Sequence, residues 1–308
     1  MKKIFYIGLL MFCTHSLIGQ NKLTNAIYSL KNKELDKAKE LIDAASVDSM
    51  FSKRAATWYY KGFIYKDLFK RDEANIKTSP LREKAVEFFL KSYEMGPNST
   101  FAKGSSQGIK FLAQTYYNQS AISFNPTDYP LALSSYEKYK ALVSRVDTTA
   151  DFKEKDLNFN LAMASTYGRI ASIDSTKSKL FLDKAKEIYE EVLAIDPNNI
   201  TANYNLGILY YNEGVEIVNT MDYGLDLVEL TILQDQIVEM FRTSLPYMKR
   251  AYDLNPTRKE TLIGLQGIYF SLNDIPKSEA FKKQIDELNG SDSTKQDPNS
   301  TIEQPTKE

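Results

Sequence analysis

Apolar residues along the chain recur at three- and four-residue steps, in runs broken by short polar segments that carry proline, asparagine and glycine. That period is helical, and it predicts a chain of helices without strands. The clearest run lies at 185–197. Ala185, Ile188, Tyr189, Val192 and Leu193 share one helix face. Asp196-Pro197-Asn198-Asn199 ends it, because Pro197 lacks an N–H and biases Asp196 away from the α region. A second helix follows, with Leu206, Gly207 and Tyr210 on one side. A helix interior disfavours glycine by about 1 kcal/mol relative to alanine, so Gly207 predicts the close approach of another helix.

The same order repeats along the chain. Leu23, Ile27 and Leu30 form one stripe and Ala38, Leu41, Ile42 and Ala45 another, with Asp36 as the expected N-cap of the second helix. Trp58, Gly62 and Tyr65 mark the next helix, and Ala85, Phe89 and Ser92 its partner; Leu68 to Pro80 reads as a long loop between them. Gly104 to Gly108 reads as a helix N-terminus leading to Ile109, Leu112, Ala113 and Tyr116. It is not a phosphate loop, since no strand precedes it and no Gly-Lys-Ser/Thr ends it. Ala132, Tyr136 and Tyr139 follow a loop at 124–130.

Asn160, Met163, Ala164 and Tyr167 begin the next pair, whose polar loop runs from Ser172 to Ser178. After Leu206, Gly207 and Tyr210 the partner helix resumes at Ser244, Met248 and Ala251. The residues between keep helical spacing through Leu230, Leu233, Ile237, Met240 and Phe241. Both helices of that pair are therefore expected to be extended, meeting near Asp222 and Gly224, with a kink at Pro246. Leu262, Leu265, Tyr269, Ser278 and Ile285 make a last pair. There Gln266 holds the packing place, with Gly264 and Gly267 beside it.

Trp58/Gly62/Tyr65, Ala185/Pro197 and Leu206/Gly207/Tyr210 together resemble the tetratricopeptide repeat (TPR) family, of an exported bacterial type. Its helix pairs carry Leu-Gly-x2-Tyr first, then alanines around an aromatic residue, and close on proline. Lys61 departs from the expected leucine. The resemblance implies an all-α, TPR-like α-solenoid of about six antiparallel helix pairs, some extended, over residues 20–288. It also implies a concave groove lined by first-helix residues. Three places before the packing residue stand Tyr59, Lys110 and Tyr204; directly after it come Phe63, Gln114 and Ile208. Four places after it stand Lys66, Tyr117, Tyr211 and Phe270. Asn118, Arg169 and Asn212 follow one residue later. The Lys/Asn pattern of carboxylate-clamp members of the family is not reproduced.

Composition narrows the function. The 308 residues carry a formal charge of −1, which gives no bulk attraction to nucleic acid or to anionic membranes. Lys2 and Lys3, the apolar run Ile4 to Phe12 and the small or polar residues to Gly19 have the order of a secretory signal peptide, residues 1–19. Periplasm or cell envelope is the expected location. Leu10-Met11-Phe12-Cys13 faintly resembles a lipobox, so a lipid anchor through Cys13 is the lesser alternative. Cleavage would remove the one histidine and the one cysteine, and with them imidazole bases, thiolate nucleophiles and Cys/His metal sites. Residues 289–308 are almost free of apolar side chains and read as a disordered polar tail.

No catalytic motif stands out; Glu190 and Glu191 are adjacent on a helix and do not face each other. Asp48, Asp147, Asp174 and Asp292, each followed by Ser or Thr, read as turn and capping residues rather than glycan acceptors. The expectation is a non-catalytic protein- or peptide-binding scaffold without cofactor, metal or nucleic acid. The 20 Tyr and 16 Phe leave open an alternative, a glycan-binding accessory protein that stacks sugars on groove aromatics.

Overall fold

A computed structural model describes residues 22–174, 176, 178–222 and 224–293, with side chains to residue 289. The signal segment 1–19 lies outside the described residues; of the expected tail 289–308, residues 289–293 continue the last helix and the rest lies outside the described residues. The chain forms two compact units divided between Phe152 and Lys153.

The first unit holds α1 (22–31), α2 (Leu35–Ser46), α3 (Ala55–Leu68), α4 (Pro80–Met95), α5 (Thr100–Ile122) and α6 (Tyr129–Val146). The second holds α7 (Lys153–Ile173), α8 (Ser178–Ile195), α9 (Ile200–Thr220), α10 (Leu227–Leu254), α11 (Lys259–Ser271) and α12 (Ile275–Ser293). From α2 to α6, and from α7 to α12, each helix packs on the next, and first helices also touch first helices: α3 on α5, α9 on α7 and α11. Each unit is thus an all-α, TPR-like stack of helix pairs.

Helix starts follow local chemistry. Ser79 accepts from Arg82 N with Pro80 in the first turn, and Asn199 accepts from Ala202 N. Asp226 and Glu229 close a capping box that starts α10, which runs through Pro246 as one element. The extended pair meets between Thr220 and Leu227, as its spacing indicates.

Three expectations change. Asp36 does not cap α2; Glu34 holds that place without a side-chain capping bond, and Asp36 accepts from the Arg71 guanidinium at 2.8 and 2.9 Å. Asp36 stands inside the first turn of α2, one place past the start, where its carboxylate meets the planar cation through both bonds. Much of the loop after Leu68 is helical, because a π-turn, Phe69–Glu73, prolongs α3 and buries Phe69. Gly104 and Gly108 lie inside α5, which starts at Thr100, so they do not form its N-terminus. A Cβ on Gly104 would stand 2.6 Å from the Tyr59 ring, and one on Gly108 2.6 Å from the Phe89 ring. They are glycines because neighbouring aromatics occupy the space of a side chain.

Packing repeats along the chain. The Phe89 ring lies between Gly62 of its own pair and Gly108 of the next. Met248 lies likewise between Gly207 and Gly264, and Gly267 beside it meets the Tyr211 hydroxyl of the same preceding pair. A serine on the second helix donates to a first-helix carbonyl in three pairs: Ser92 to Ala55 at 2.9 Å, Ser244 to Gly207 at 2.7 Å and Ser278 to Gln266 at 3.0 Å. A bulkier residue there would both lose the bond and separate the helices.

Lys61 is buried. Its ammonium donates to Ser46 Oγ at 2.7 Å and pairs with Asp43 at 3.0 Å, above the Phe88 ring at 4.6 Å. Asp43 also accepts from Lys39 at 3.0 Å and from the Tyr65 hydroxyl at 2.9 Å. The residue that breaks the repeat pattern thus joins α2 to α3 through a closed polar network.

Candidate functional site

The expected groove residues lie on first helices, and each unit holds its own set of them. On α3, Tyr59 and Phe63 are half-buried and their rings lie 5.9 Å apart. Tyr59 also packs on Phe101 at 5.4 Å and covers Gly104, so this ring seals α3 to α5 as well as facing outward. Burial pushes its hydroxyl up from the usual tyrosine range. The Lys66 ammonium sits 3.5 Å from the centre of the Phe63 ring, and burial pulls it below the usual lysine value despite Asp67 at 3.4 Å.

On α5, Lys110, Gln114 and Asn118 are exposed. Lys110 is held by Asp147 at 2.8 Å, and Gln114 donates to Asn118 at 3.0 Å. Tyr117 turns toward α6, its ring 5.1 Å from Tyr139. Phe111 escaped the sequence reading. It is 43% exposed, and the ammonium groups of Lys66 and Lys70 lie 5.7 and 5.8 Å from its ring. Its signal was present, since Phe111 directly follows Lys110 on a helix whose core positions were already assigned.

In the second unit, Tyr204, Ile208 and Tyr211 pack on the edge of a buried cluster made by Phe241, Met248, Leu265, Ile268 and Tyr269. Arg258 stacks 3.7 Å from the centre of the Tyr204 ring. Tyr211 lies 5.5 Å from Phe241, and its hydroxyl occupies the space over Gly267. These tyrosines have a structural duty before any ligand is considered. Asn212 is exposed, and Phe270 is 67% exposed on the last first helix.

Arg169 and Ile208 meet in an open pocket of about 210 Å³ between α7 and α9. Ser165, Gly168, Ser172 and Asn205 line it with them. A Cβ at Gly168 would meet nothing within 4 Å, so this glycine opens space rather than accepting a neighbour. Arg169 donates to Thr166 Oγ1 at 3.2 Å and is exposed. Tyr189 closes the floor, its hydroxyl pushed up to about 12 by burial. A cation, two serines, an amide and an apolar wall suit a polar chain with one acidic or carbonyl group.

Asp48, Asp147 and Asp174 do turn chemistry: Asp48 accepts from Met50 N at 2.9 Å, Asp147 from Thr149 N at 3.2 Å, Asp174 from Thr176 N at 3.1 Å. The Asp292 side chain lies outside the described residues. Among the described residues no helix is long and apolar enough to cross a membrane.

No protein-family model matches the chain, and neither does any curated protein. Among solved structures, a human IFIT1 dimer with m7Gppp-AAAA is 15% identical over 87% of this chain and 68% of that one, with a TM-score of 0.32. The nuclear import adaptor Nro1 of S. pombe is 14% identical over 91% of this chain and 97% of that one, also with a TM-score of 0.32. The chain spans 58% of the length of a monomeric IFIT1 mutant with Gppp-AAAA, at 16% identity and a TM-score of 0.34. Likeness at this level carries no functional argument.

Proposed function

We propose that the protein is a non-catalytic scaffold, exported to a bacterial cell envelope, that binds a protein or peptide along its first-helix faces. The observation that carries this reading is the pocket at Gly168. There a helical repeat leaves out a side chain where packing does not demand it, and sets the exposed Arg169 beside Ile208. A polypeptide suits such a face because extended chains offer carbonyls and carboxylates to arginine while their side chains cover apolar walls. Export rests on the order of charged, apolar and small residues in the first 19 positions.

A photo-cross-linking residue placed at Ser165, in the pocket, should yield one dominant protein adduct in envelope extract. The same residue at Asp183, exposed on α8, should not. Adducts of equal abundance from both places would remove the groove from the proposal. Capture of polysaccharide without protein would transfer the face to the glycan-binding alternative.

A further inference from the structure

A second cavity, of about 450 Å³, opens in the first unit between the start of α4, Tyr116 of α5, and α6. None of the groove residues lines it. Its volume falls in the range of small-molecule sites, roughly 300–1,000 Å³. Ser79, Ser134 and Ser135 supply hydroxyls; Lys77, Arg82 and Lys138 are cationic, and Glu83 is the one acid among the lining residues.

Arg82 is the unusual member. It is only 4% exposed, and its guanidinium lies 4.0 Å from the centre of the Tyr116 ring. One Nη2 hydrogen goes to the Lys77 carbonyl at 3.0 Å. The Nε–H is buried and has no acceptor. Leaving a buried donor of a charged group unsatisfied forfeits the hydrogen bond that water would have given it. Glu83 accepts from Lys138 at 2.7 Å and from the Tyr116 hydroxyl. Against the pull of burial, these bonds and the nearby Arg82 charge hold its carboxyl below the usual value, but it makes no hydrogen bond to the Arg82 Nε–H.

The start of α4 is also committed elsewhere. Leu81 N donates to Glu73 Oε2 at 3.0 Å and Arg82 N to Ser79 Oγ at 2.9 Å. An incoming anion would therefore be held by side chains, and by Arg82 above all. A guanidinium presents a planar fork that fits two oxygens at once, and stacking on Tyr116 fixes the plane of that fork.

We infer that this cavity binds a small organic oxyanion, a carboxylate or a phosphate monoester, through the Arg82 guanidinium. Lys138 supports the charge from the rim, and Ser134 and Ser135 face the ligand body. The site is separate from the groove and independent of what the groove binds.

The test follows the arginine Nε–H resonances of the 15N-labelled full chain during titration with three probes built on the same three-carbon skeleton: glycerol 3-phosphate, glycerate and glycerol. The Arg82 signal is assigned by its loss in Arg82→Lys; if that variant does not fold, triple-resonance assignment of the native chain serves instead. A saturable shift of the Arg82 Nε–H with glycerol 3-phosphate or with glycerate, and none with glycerol, is expected, and the responding probe identifies phosphate or carboxylate. Lys138→Gln should weaken that response several-fold while the protein stays folded. No shift with either anion at millimolar concentration, or an equal shift with glycerol, would overturn the inference.

Discussion

The two units make the same joint from different side chains. In the first, a phenylalanine on α4 fills the space between Gly62 and Gly108; in the second, a methionine on α10 fills that between Gly207 and Gly264. Both fillers are fully buried. Around Phe89 the joint continues in rings, with Tyr59 at 6.2 Å and Phe63 at 6.4 Å. Around Met248 it continues in the aliphatic Leu265 and Ile268 together with the rings of Phe241 and Tyr269. What repeats is a volume pattern, small–large–small, and the identity of the large residue is free. A phenyl ring has a rigid outline, whereas a thioether has three rotatable bonds and adapts to irregular gaps. The first joint should therefore tolerate less change than the second.

Truncation should give the largest effect. Phe89→Ala should cost about 3–5 kcal/mol, and Met248→Ala about 2–5 kcal/mol toward the lower end, in denaturant melts. Tyr211→Ala should also lower stability, by about 3 kcal/mol, because its ring packs on Phe241 and fills the space over Gly267. A Tyr211→Ala protein with an unchanged midpoint would return that residue to the groove.

Filling the glycines sharpens the contrast. A Cβ at Gly108 meets the Phe89 ring at 2.6 Å, whereas one at Gly264 meets the Met248 terminal methyl at 2.1 Å. Distance alone ranks Gly264 as the worse site. The methyl can swing away and the ring, held by Gly62 on its other face, cannot. Gly108→Ala should therefore destabilise by about 1–3 kcal/mol. Gly264→Ala should stay within about 1 kcal/mol of the parent, helped by alanine's better helix propensity. Equal losses would mean that the methionine joint is as stiff as the phenylalanine joint.

A pH dependence belongs to the first unit. Burial alone would raise the Asp43 carboxyl, but hydrogen bonds from Lys61, Lys39 and Tyr65 outweigh it and hold the group below its usual value. Its folded pKa is thus depressed, so the stability it contributes is present above the ordinary carboxylate range and is lost as pH falls through the folded value. Asp43→Asn should flatten the acid limb of the stability curve and leave a buried lysine without its counter-charge, costing about 1–3 kcal/mol at neutral pH. An unchanged acid limb would show that the network contributes nothing to pH dependence.

Much of this was legible in the chain. Gly207 announced a close approach, and the buried faces of α8 and α9 hold Ala185, Tyr189, Val192, Leu206 and Gly207 as their spacing indicated. The extended pair was visible because Leu230, Leu233 and Ile237 keep their period through a region longer than any family turn. Gly104 and Gly108 were misplaced because a Gly/Ser cluster satisfies two rules at once, capping and close packing, and only the partner ring decides between them. Lys61 was legible as a departure but not as a bond, since Asp43 and Ser46 lie on another helix. Spacing placed the expected groove residues on first helices. It could not separate side chains committed to neighbours, such as Tyr59 and Tyr211, from exposed ones such as Asn212 and Phe270.

Gly168 gives the most direct test of the binding face. Unlike at Gly108 or Gly207, a Cβ there meets nothing within 4 Å, so Gly168→Leu adds a side chain to the pocket. The melt should be unchanged or rise by up to about 1 kcal/mol, because leucine is the better helix former. Binding of the protein cross-linked at Ser165 should fall by about tenfold or more, as expected when a pocket is filled. Partner binding at full strength with the pocket occupied, measured on protein whose melt is intact, would contradict the assignment of the first-helix face as the binding surface.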